Sequence, residues 1–192
     1  MGFFNSTSNE VPLSTLRANL NLSANAVDTA PRMNSQNATM ASGQCYFTFF
    51  TPSTNLTVSN ITVATAGTAA TSLTYAALGL YTFDGTTATL VARTASDTSL
   101  YGSTFTNYTR SFDTTGGFPA SYTLVAGQRY GLGLLVVTAG TAPAIYLSSG
   151  FIPNNLSTLD PRMTALKTGE TSLPLTVNSF TTTTAAPWGR LS

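Results

Sequence analysis

The sequence predicts an all-β protein, an antiparallel two-sheet sandwich of the jelly-roll type, preceded by a short N-terminal arm that is partly helical. Three observations predict it. Short apolar segments recur with turn residues between them, Thr and Ser supply 56 of the 192 residues, and only 8% of residues are charged. Average soluble domains carry about 25% charged residues. Because β-branched residues favour strands and no interval suits repeated crossover helices, the sheets should be antiparallel.

The first 32 residues differ from the rest of the chain. Leu13, Leu16 and Leu20, continued by Val27, recur at helical spacing after Pro12, a residue suited to a first helical turn. An arm this short is too small to fold alone and normally docks on something. We predict that residues 1–32 anchor the protein to a neighbour through Leu13, Leu16, Arg17, Leu20 and Arg32.

From residue 33 onward the chain consists of successive short strands, and we predict that residues 33–192 form one sandwich domain. The predicted strands cover residues 44–51, 56–64, 76–83, 89–94, 105–112, 121–125, 128–138, 144–147, 162–167, 173–177 and 187–191.

Local signals refine these strands. In residues 56–64 the alternation shifts at Ser59, which predicts a bulge. Asp84 and Gly85 predict a hairpin turn. Gly131 and Gly133 lie inside the longest predicted strand and indicate close approach of a backbone or a ring.

The composition excludes several classes of chemistry. The chain has no His, one Cys and a net charge of +1. It therefore lacks a Ser-His-Asp or Cys-His nucleophile, a His-based metal site, a redox pair and an electrostatic footprint for nucleic acid. We expect no cofactor, no metal centre and no nucleic-acid partner, and we expect Cys45 to be a small buried hydrophobe in its apolar run.

The few acidic residues offer little catalytic potential. A glycosidase needs two facing carboxylates, and Asp84 and Asp97 are the nearest candidates. Asp84 is better explained as a turn residue, and Asp97 as part of a loop that bonds its own backbone. Calcium binding through Asp84, Asp97 or Asp113 is the alternative, although no EF-hand spacing exists. We predict that the protein is not an enzyme.

Targeting signals are weak. The N-terminus has no basic segment followed by an apolar core, which predicts no signal peptide, and the apolar stretch at residues 130–137 is too short to span a bilayer. We therefore predict no membrane insertion. Asn-x-Ser/Thr sequons, which chance explains in a chain so rich in Ser and Thr, occur at Asn5, Asn21, Asn37, Asn55, Asn60, Asn107 and Asn155.

Residues 100–108 (LYGSTFTNY) are the best candidate for sugar binding. Aromatic rings stack on the apolar faces of sugars, and amides bond their hydroxyls. Tyr101, Asn107 and Tyr108 are therefore candidate contacts to a ligand or host surface. The structural alternative places Phe105 and Tyr101 in the core and the Tyr108 hydroxyl at a sheet edge.

Tryptophan and arginine are rare in this chain, and the sequence predicts an environment for each. Trp188, near the end of the chain, is expected to close the sandwich core rather than to form a ligand platform. Charge is so scarce that Arg17, Arg32, Arg129 and Arg162 are expected either to be paired or placed at an interface, where Arg is enriched, or to be solvated.

Three motifs carry a resemblance to a known family. They are LxLYxxDGxxxxLVAxTxxDTxL at Leu78–Leu100, YTLxAGQRYxxGLLVV at Tyr122–Val137 and TGxTxLPxxV at Thr168–Val177. Together they resemble a β-sandwich module of tailed-bacteriophage virions, especially phages of actinobacteria. In that family the module typically forms the C-terminal end of minor tail proteins and related surface fibres. The resemblance covers about residues 32–191, without the long upstream region of larger members.

The resemblance implies a structural protein of the phage particle surface, made in the host cytoplasm. It favours a minor tail or fibre protein that attaches to the host, with other virion proteins as partners and a host cell-surface glycan as a candidate ligand. A homotrimer is implied as well, and the low charge independently predicts burial of surface in subunit contacts. The alternatives are a decoration protein that stabilises capsomers on the outer head surface, and a free carbohydrate-binding lectin.

Overall fold

The computed structural model describes residues 25–29, 37–147 and 162–192. Their strands are β1 (Val27–Asp28), β2 (Asn37–Thr39), β3 (Gln44–Phe50), β4 (Leu56–Val58), β5 (Asn60–Ala64), β6 (Leu73–Phe83), β7 (Ala88–Arg93), β8 (Asn107–Ser111), β9 (Tyr122–Leu124), β10 (Tyr130–Thr138), β11 (Ala144–Tyr146), β12 (Thr164–Thr168), β13 (Thr176–Val177) and β14 (Gly189–Leu191). The helical structure in these ranges is one 3-10 turn at Thr115–Gly117. The predicted all-β class is confirmed.

The strands form two main antiparallel sheets. One has six strands in the order β12-β3-β10-β6-β7-β13, and the other has four in the order β1-β14-β5-β8. Two small ladders, β2 with β11 and β4 with β9, complete the set. The two main sheets pack face to face, which confirms the predicted sandwich.

The core between the sheets comes from alternate residues of each strand. Fully buried side chains of the six-stranded sheet meet those of the four-stranded sheet, among them Leu78, Leu132 and Leu134 from the first and Ile61, Val63 and Leu191 from the second. A Cβ at Gly189 would overlap Cδ2 of Leu132. The sheets therefore approach closely at this point, and a larger residue at position 189 would require the Leu132 side chain to shift.

The outer side of the six-stranded sheet is also apolar. Phe47, Phe49, Tyr81 and Phe83 point away from the main core, and we call this surface the aromatic face. Residues 173–180, which we call the covering segment, lie across it. The Tyr81 hydroxyl donates to the Pro174 carbonyl at 3.0 Å. The ring of Phe180 packs edge-on against Phe47, Phe49 and Phe83, with centroids 5.6–5.9 Å apart.

The two glycines of β10 lie on the aromatic face, and the predicted close approach of a ring is confirmed there. A Cβ at Gly133 would lie 2.7 Å from Cε2 of Tyr81, and one at Gly131 would lie 3.0 Å from Cε1 of Phe49. Gly79 pairs directly with Gly133, and its own Cβ would lie 2.8 Å from the same Tyr81 ring. The glycines thus make room for rings that lie against the strands.

The single strand predicted for residues 56–64 is wrong in one respect. The alternation shift at Ser59 marks a change of sheet rather than a bulge, because β4 pairs with β9 whereas β5 pairs with β14 and β8. The Ser59 N–H donates to the Ser192 carbonyl at 2.8 Å, which fixes the crossing point.

The predicted arm is described only at residues 25–29. There Val27, expected to continue a helix, instead pairs with Leu191 in β1, so this part of the arm belongs to the four-stranded sheet. The remaining arm residues named above, Leu13, Leu16, Arg17, Leu20 and Arg32, lie outside the described residues. Within the described ranges, no helix has the length and hydrophobicity that a membrane crossing requires.

Candidate functional site

The outer side of the four-stranded sheet is polar. In β5, Ile61 and Val63 face the core, so Thr62 between them faces outward. Arg190 of β14 lies opposite Thr62 on one side, and Thr109 of β8 lies opposite it on the other. These three side chains form a row across three strands.

A second row lies beside the first. Trp188 and Asn107 are each two residues from a member of the first row, and residues two apart on a strand share a face. Both rows enclose an open groove of about 330 Å³, lined by Thr62, Asn107, Thr109, Trp188, Arg190 and Ser192. We call this the outer groove.

Trp188 is half-buried and lines the outer groove, so the prediction that it closes the core is wrong. Its backbone N–H donates to the Tyr146 carbonyl at 3.0 Å. The indole Nε1 is buried, so the part of the ring that reaches the groove is carbon. The following residue, Gly189, lies close to the Leu132 side chain in the core.

The polar side chains that line the outer groove differ in whether they form hydrogen bonds within the protein. The hydroxyls of Thr62 and Thr109 bond each other at 2.8 Å. Among the described residues, no other side chain bonds the Asn107 amide or the Arg190 guanidinium. The six described lining residues supply hydroxyls, an amide, a guanidinium and an indole, so they can offer hydrogen bonds and an apolar ring.

The structure does not bring the three predicted contacts together. Tyr101 is fully buried, with its ring centroid 5.9 Å from that of Tyr108, so it cannot contact a ligand. Burial also raises the pKa of the Tyr101 hydroxyl. The prediction of Tyr101 as a contact is therefore wrong, and the core alternative is confirmed for it.

Asn107 and Tyr108 lie on opposite faces of β8. Tyr108 pairs with Val63 and shares its inward face, whereas Asn107 faces the outer groove. The Tyr108 hydroxyl accepts a hydrogen bond from the Ser103 N–H at 2.6 Å. Phe105, for which the core was the alternative, is 72% exposed, so that alternative is wrong for this residue.

Asp97 has a structural role that includes an ion pair. Its Oδ1 accepts from the Ser99 N–H at 2.7 Å, as predicted for a loop residue, and its Oδ2 lies 2.6 Å from Nη2 of Arg110. Partial burial raises the pKa of Asp97, but the hydrogen bonds from Ser99 and the contacts with Arg110 outweigh it and leave the pKa below its ordinary value.

Asp84 and Asp113, the other two candidate acids, also accept hydrogen bonds from residues close to them in sequence. Asp84 accepts from the backbone N–H groups of Thr87 and Thr86 at 2.6 and 2.8 Å, which confirms the turn and lowers its pKa. Hydrogen bonds from Thr115, with Arg93 3.7 Å away, lower the pKa of Asp113. Across the described residues, no three His, Cys, Asp or Glu side chains cluster as a metal site would require.

Two of the scarce arginines pack beside the aromatic face. Arg129 lies 6.0 Å from the Phe49 ring centroid and donates to the Arg162 carbonyl. Arg162 lies 5.5 Å from the Phe180 ring centroid. Cys45 is fully buried among the same cluster, as predicted, and burial raises the pKa of its thiol.

Sequence reasoning missed Thr62, Thr109, Arg190 and Ser192 as groove residues. The segment WGRLS did carry a signal, since Trp188 and Arg190 are two residues apart and alternate with Gly189 and Leu191. That alternation predicts one shared face. It does not reveal which strand lies beside it, and Asn107 is distant in sequence.

No protein-family model matches the chain, and no curated protein sequence matches it significantly.

Proposed function

We propose that the protein is a structural protein of the bacteriophage particle surface, a small β-sandwich of the tail or fibre apparatus that contacts the host. The observation that carries this proposal is the set of three sequence motifs, which resemble the virion module over most of the chain. The protein works by adhesion to its neighbours and to the cell, without making or breaking bonds.

The positions of the motifs support their use as a structural signature. Leu78–Leu100 supplies most of β6, all of β7 and the Asp97 loop, and Tyr122–Val137 supplies β9 and most of β10. Thr168–Val177 supplies part of the covering segment over the aromatic face. The resemblance therefore concerns mainly three central strands of the six-stranded sheet, β10, β6 and β7, and part of its cover.

The surface chemistry also supports a particle protein. With 8% charged residues, solubility cannot come from charge repulsion, so hydroxyl groups must supply it or assembly must cover the surface. Thr62 and Thr109 on the outer side of the four-stranded sheet supply such hydroxyls while keeping a strong preference for strands.

The direction of β1 supports an attachment end and a free end. Val27 pairs with Leu191 and the Thr29 N–H donates to the Gly189 carbonyl, so the chain enters this sheet near Ser192. Asn107 begins β8 beside Ala64, at the opposite end of the sheet. We propose that residues 1–24 attach the protein to the particle and that the Asn107 end faces outward.

The test is the location of the chain in purified phage particles. Antibodies raised against the purified protein should label intact particles in electron micrographs, with gold at the tail tip or fibres, and mass spectrometry should find the chain in those particles. Label confined to the head would replace the tail placement with capsid decoration. Particles that lack the chain would overturn the proposal and leave the free lectin as the alternative.

Truncation tests the attachment end. A variant without residues 1–24 retains β1 and should fold, with an unchanged circular dichroism spectrum, yet fail to join particles. A variant without residues 1–30 also loses β1 and serves as the comparison for sheet stability. Normal incorporation of the first variant would contradict the anchoring role of the arm.

A further inference from the structure

The outer groove combines an indole, an amide and a guanidinium on one rigid sheet face, and we propose that it binds a saccharide. Its residues are Trp188, Asn107, Arg190 and the paired Thr62 and Thr109. This inference rests on the proposed function for the source of the ligand, a glycan on the cell that the particle meets. The binding chemistry itself depends only on the groove.

The indole supplies an apolar platform. Because Nε1 of Trp188 is buried, carbon atoms of the ring form the part that lines the groove. A pyranose ring has C–H-rich faces that pack on aromatic carbon, while its hydroxyls point sideways. An apolar ligand without hydroxyls would leave the surrounding polar groups unpaired on binding.

The polar groups beside the indole match sugar hydroxyls. The Asn107 amide can donate and accept, and the Arg190 guanidinium presents several donors in a fixed plane. The Thr62 and Thr109 hydroxyls bond each other at 2.8 Å and still keep acceptor capacity. A hydroxyl both donates and accepts, so a saccharide can bond all of these groups, whereas a simple anion would use only the donors.

The groove is built on strands, which fixes its geometry before a ligand arrives. β14 is held between β1 and β5, and Gly189 exchanges hydrogen bonds with Thr29 at 2.8 and 3.1 Å. Leu191, next to Arg190, is fully buried in the core. The described lining residues lie on or next to these strands, so binding orders few of their side chains, which lowers its entropic cost.

The chain contains a single Trp, which turns the proposal into a direct spectroscopic test. The purified full chain is applied to a printed array of neutral and carboxylate-bearing oligosaccharides. The saccharide with the strongest signal is then titrated while Trp188 fluorescence is recorded. We expect a saturable change in emission whose midpoint agrees with the affinity from calorimetry.

Variants then locate the binding. Asn107→Ala and Arg190→Gln should each weaken affinity roughly tenfold, because each removes partners of ligand hydroxyls. Ser111→Ala is the matched control, since Ser111 is exposed on the same outer face of β8 but does not line the groove. Trp188→Phe keeps a ring and should retain weakened binding, measured by calorimetry. Trp188→Ala should abolish it, with circular dichroism as the check on folding.

Several results would overturn the inference. They are an array without signal, a bound saccharide that leaves Trp188 emission unchanged, or equal affinities for Asn107→Ala, Arg190→Gln and Ser111→Ala. The last two would place binding elsewhere on the chain. The proposed function fails separately, since it depends on the presence of the chain in particles. A chain found in particles without saccharide binding would disprove only the groove assignment.

Discussion

The two outer faces of the sandwich use the same strand geometry and carry opposite surfaces. On the six-stranded sheet, the outward positions hold Phe47, Phe49 and Tyr81, and the covering segment closes over them. On the four-stranded sheet, the outward positions hold the residues that line the outer groove, and we call this surface the open face. One outer face is thus packed as part of the core, whereas the described residues of the other leave a groove accessible.

The covering segment explains why the aromatic face needs glycine. Tyr81 lies against Gly79 and Gly133 and uses its hydroxyl to hold Pro174, so the ring connects sheet and cover. On the open face the described residues leave the outer groove accessible, and the close approach at Gly189 faces the main core. Stability should therefore be sensitive to substitution on the aromatic face and tolerant of it on the open face.

The largest effect should come from Phe47→Ala. Phe47 is fully buried and packs against Tyr81 and Phe180, with centroids 5.0 and 5.6 Å apart. Removing a buried Phe leaves a cavity and costs about 3–5 kcal/mol. Urea denaturation should show this loss in the free energy of unfolding. A loss below about 1 kcal/mol would mean that the aromatic face is not part of the folding core.

Gly133→Val should have the next largest effect. Its Cβ would lie 2.7 Å from Tyr81 and 3.2 Å from Phe47, and overpacking of this kind costs roughly 1–3 kcal/mol or more. Gly67→Val is the matched control, because the nearest atom to a Cβ there is 3.5 Å away at the exposed Phe105 ring. Equal thermal midpoints for both variants would show that the Tyr81 ring does not lie over Gly133.

Acid should weaken the edge of the open face to a smaller degree. Asp97 and Asp113 have pKa values below their ordinary 3.8 in the folded protein. Their stabilising contribution is therefore complete above the ordinary value and is lost as pH falls through the lowered values. Denaturation midpoints should be level from pH 7 to about 5 and then decline. Asp97→Asn should flatten that decline, and an unchanged slope would assign the acid sensitivity to other groups.

The smallest effect should come from Thr62→Val on the open face. The variant removes the exposed hydrogen bond between the hydroxyls of Thr62 and Thr109, and it keeps the shape of the side chain. Exposed cross-strand pairs contribute about 0.2–1 kcal/mol. A double-mutant cycle with Thr109→Val measures the coupling. A loss above about 2 kcal/mol would contradict the view of this face as tolerant.

Much of the fold was predictable because local patterns encode strands. The alternation and turn signals between Gln44 and Thr138 predicted most of the strands in that range, and β3 begins at its predicted residue. The two missed strands, β1 and β2, consist of VD and NAT, which have no apolar period to detect. Their pairing comes from neighbouring strands and not from their own sequence.

The candidate site was less predictable, because the residues that meet on one face of a sheet depend on which strands are neighbours and on the register in which they pair. Neighbouring Asn107 and Tyr108 were expected to act together, yet adjacent residues of a strand point to opposite sides. Tyr101 and Phe105 share one loop and both have a positive φ, yet one ring is fully buried and the other is 72% exposed, a difference that the local sequence does not reveal. The groove needs β5, β8 and β14 side by side, which no local pattern specifies.

The central claim is that the aromatic face is closed and the open face is the working surface of a particle protein. A cryo-electron microscopy reconstruction of the intact phage tests it most directly. We expect this sandwich at the particle surface, with Trp188 and Arg190 facing solvent and β1 directed toward the particle. A reconstruction without the chain, or with the outer groove buried against a virion neighbour, would contradict it.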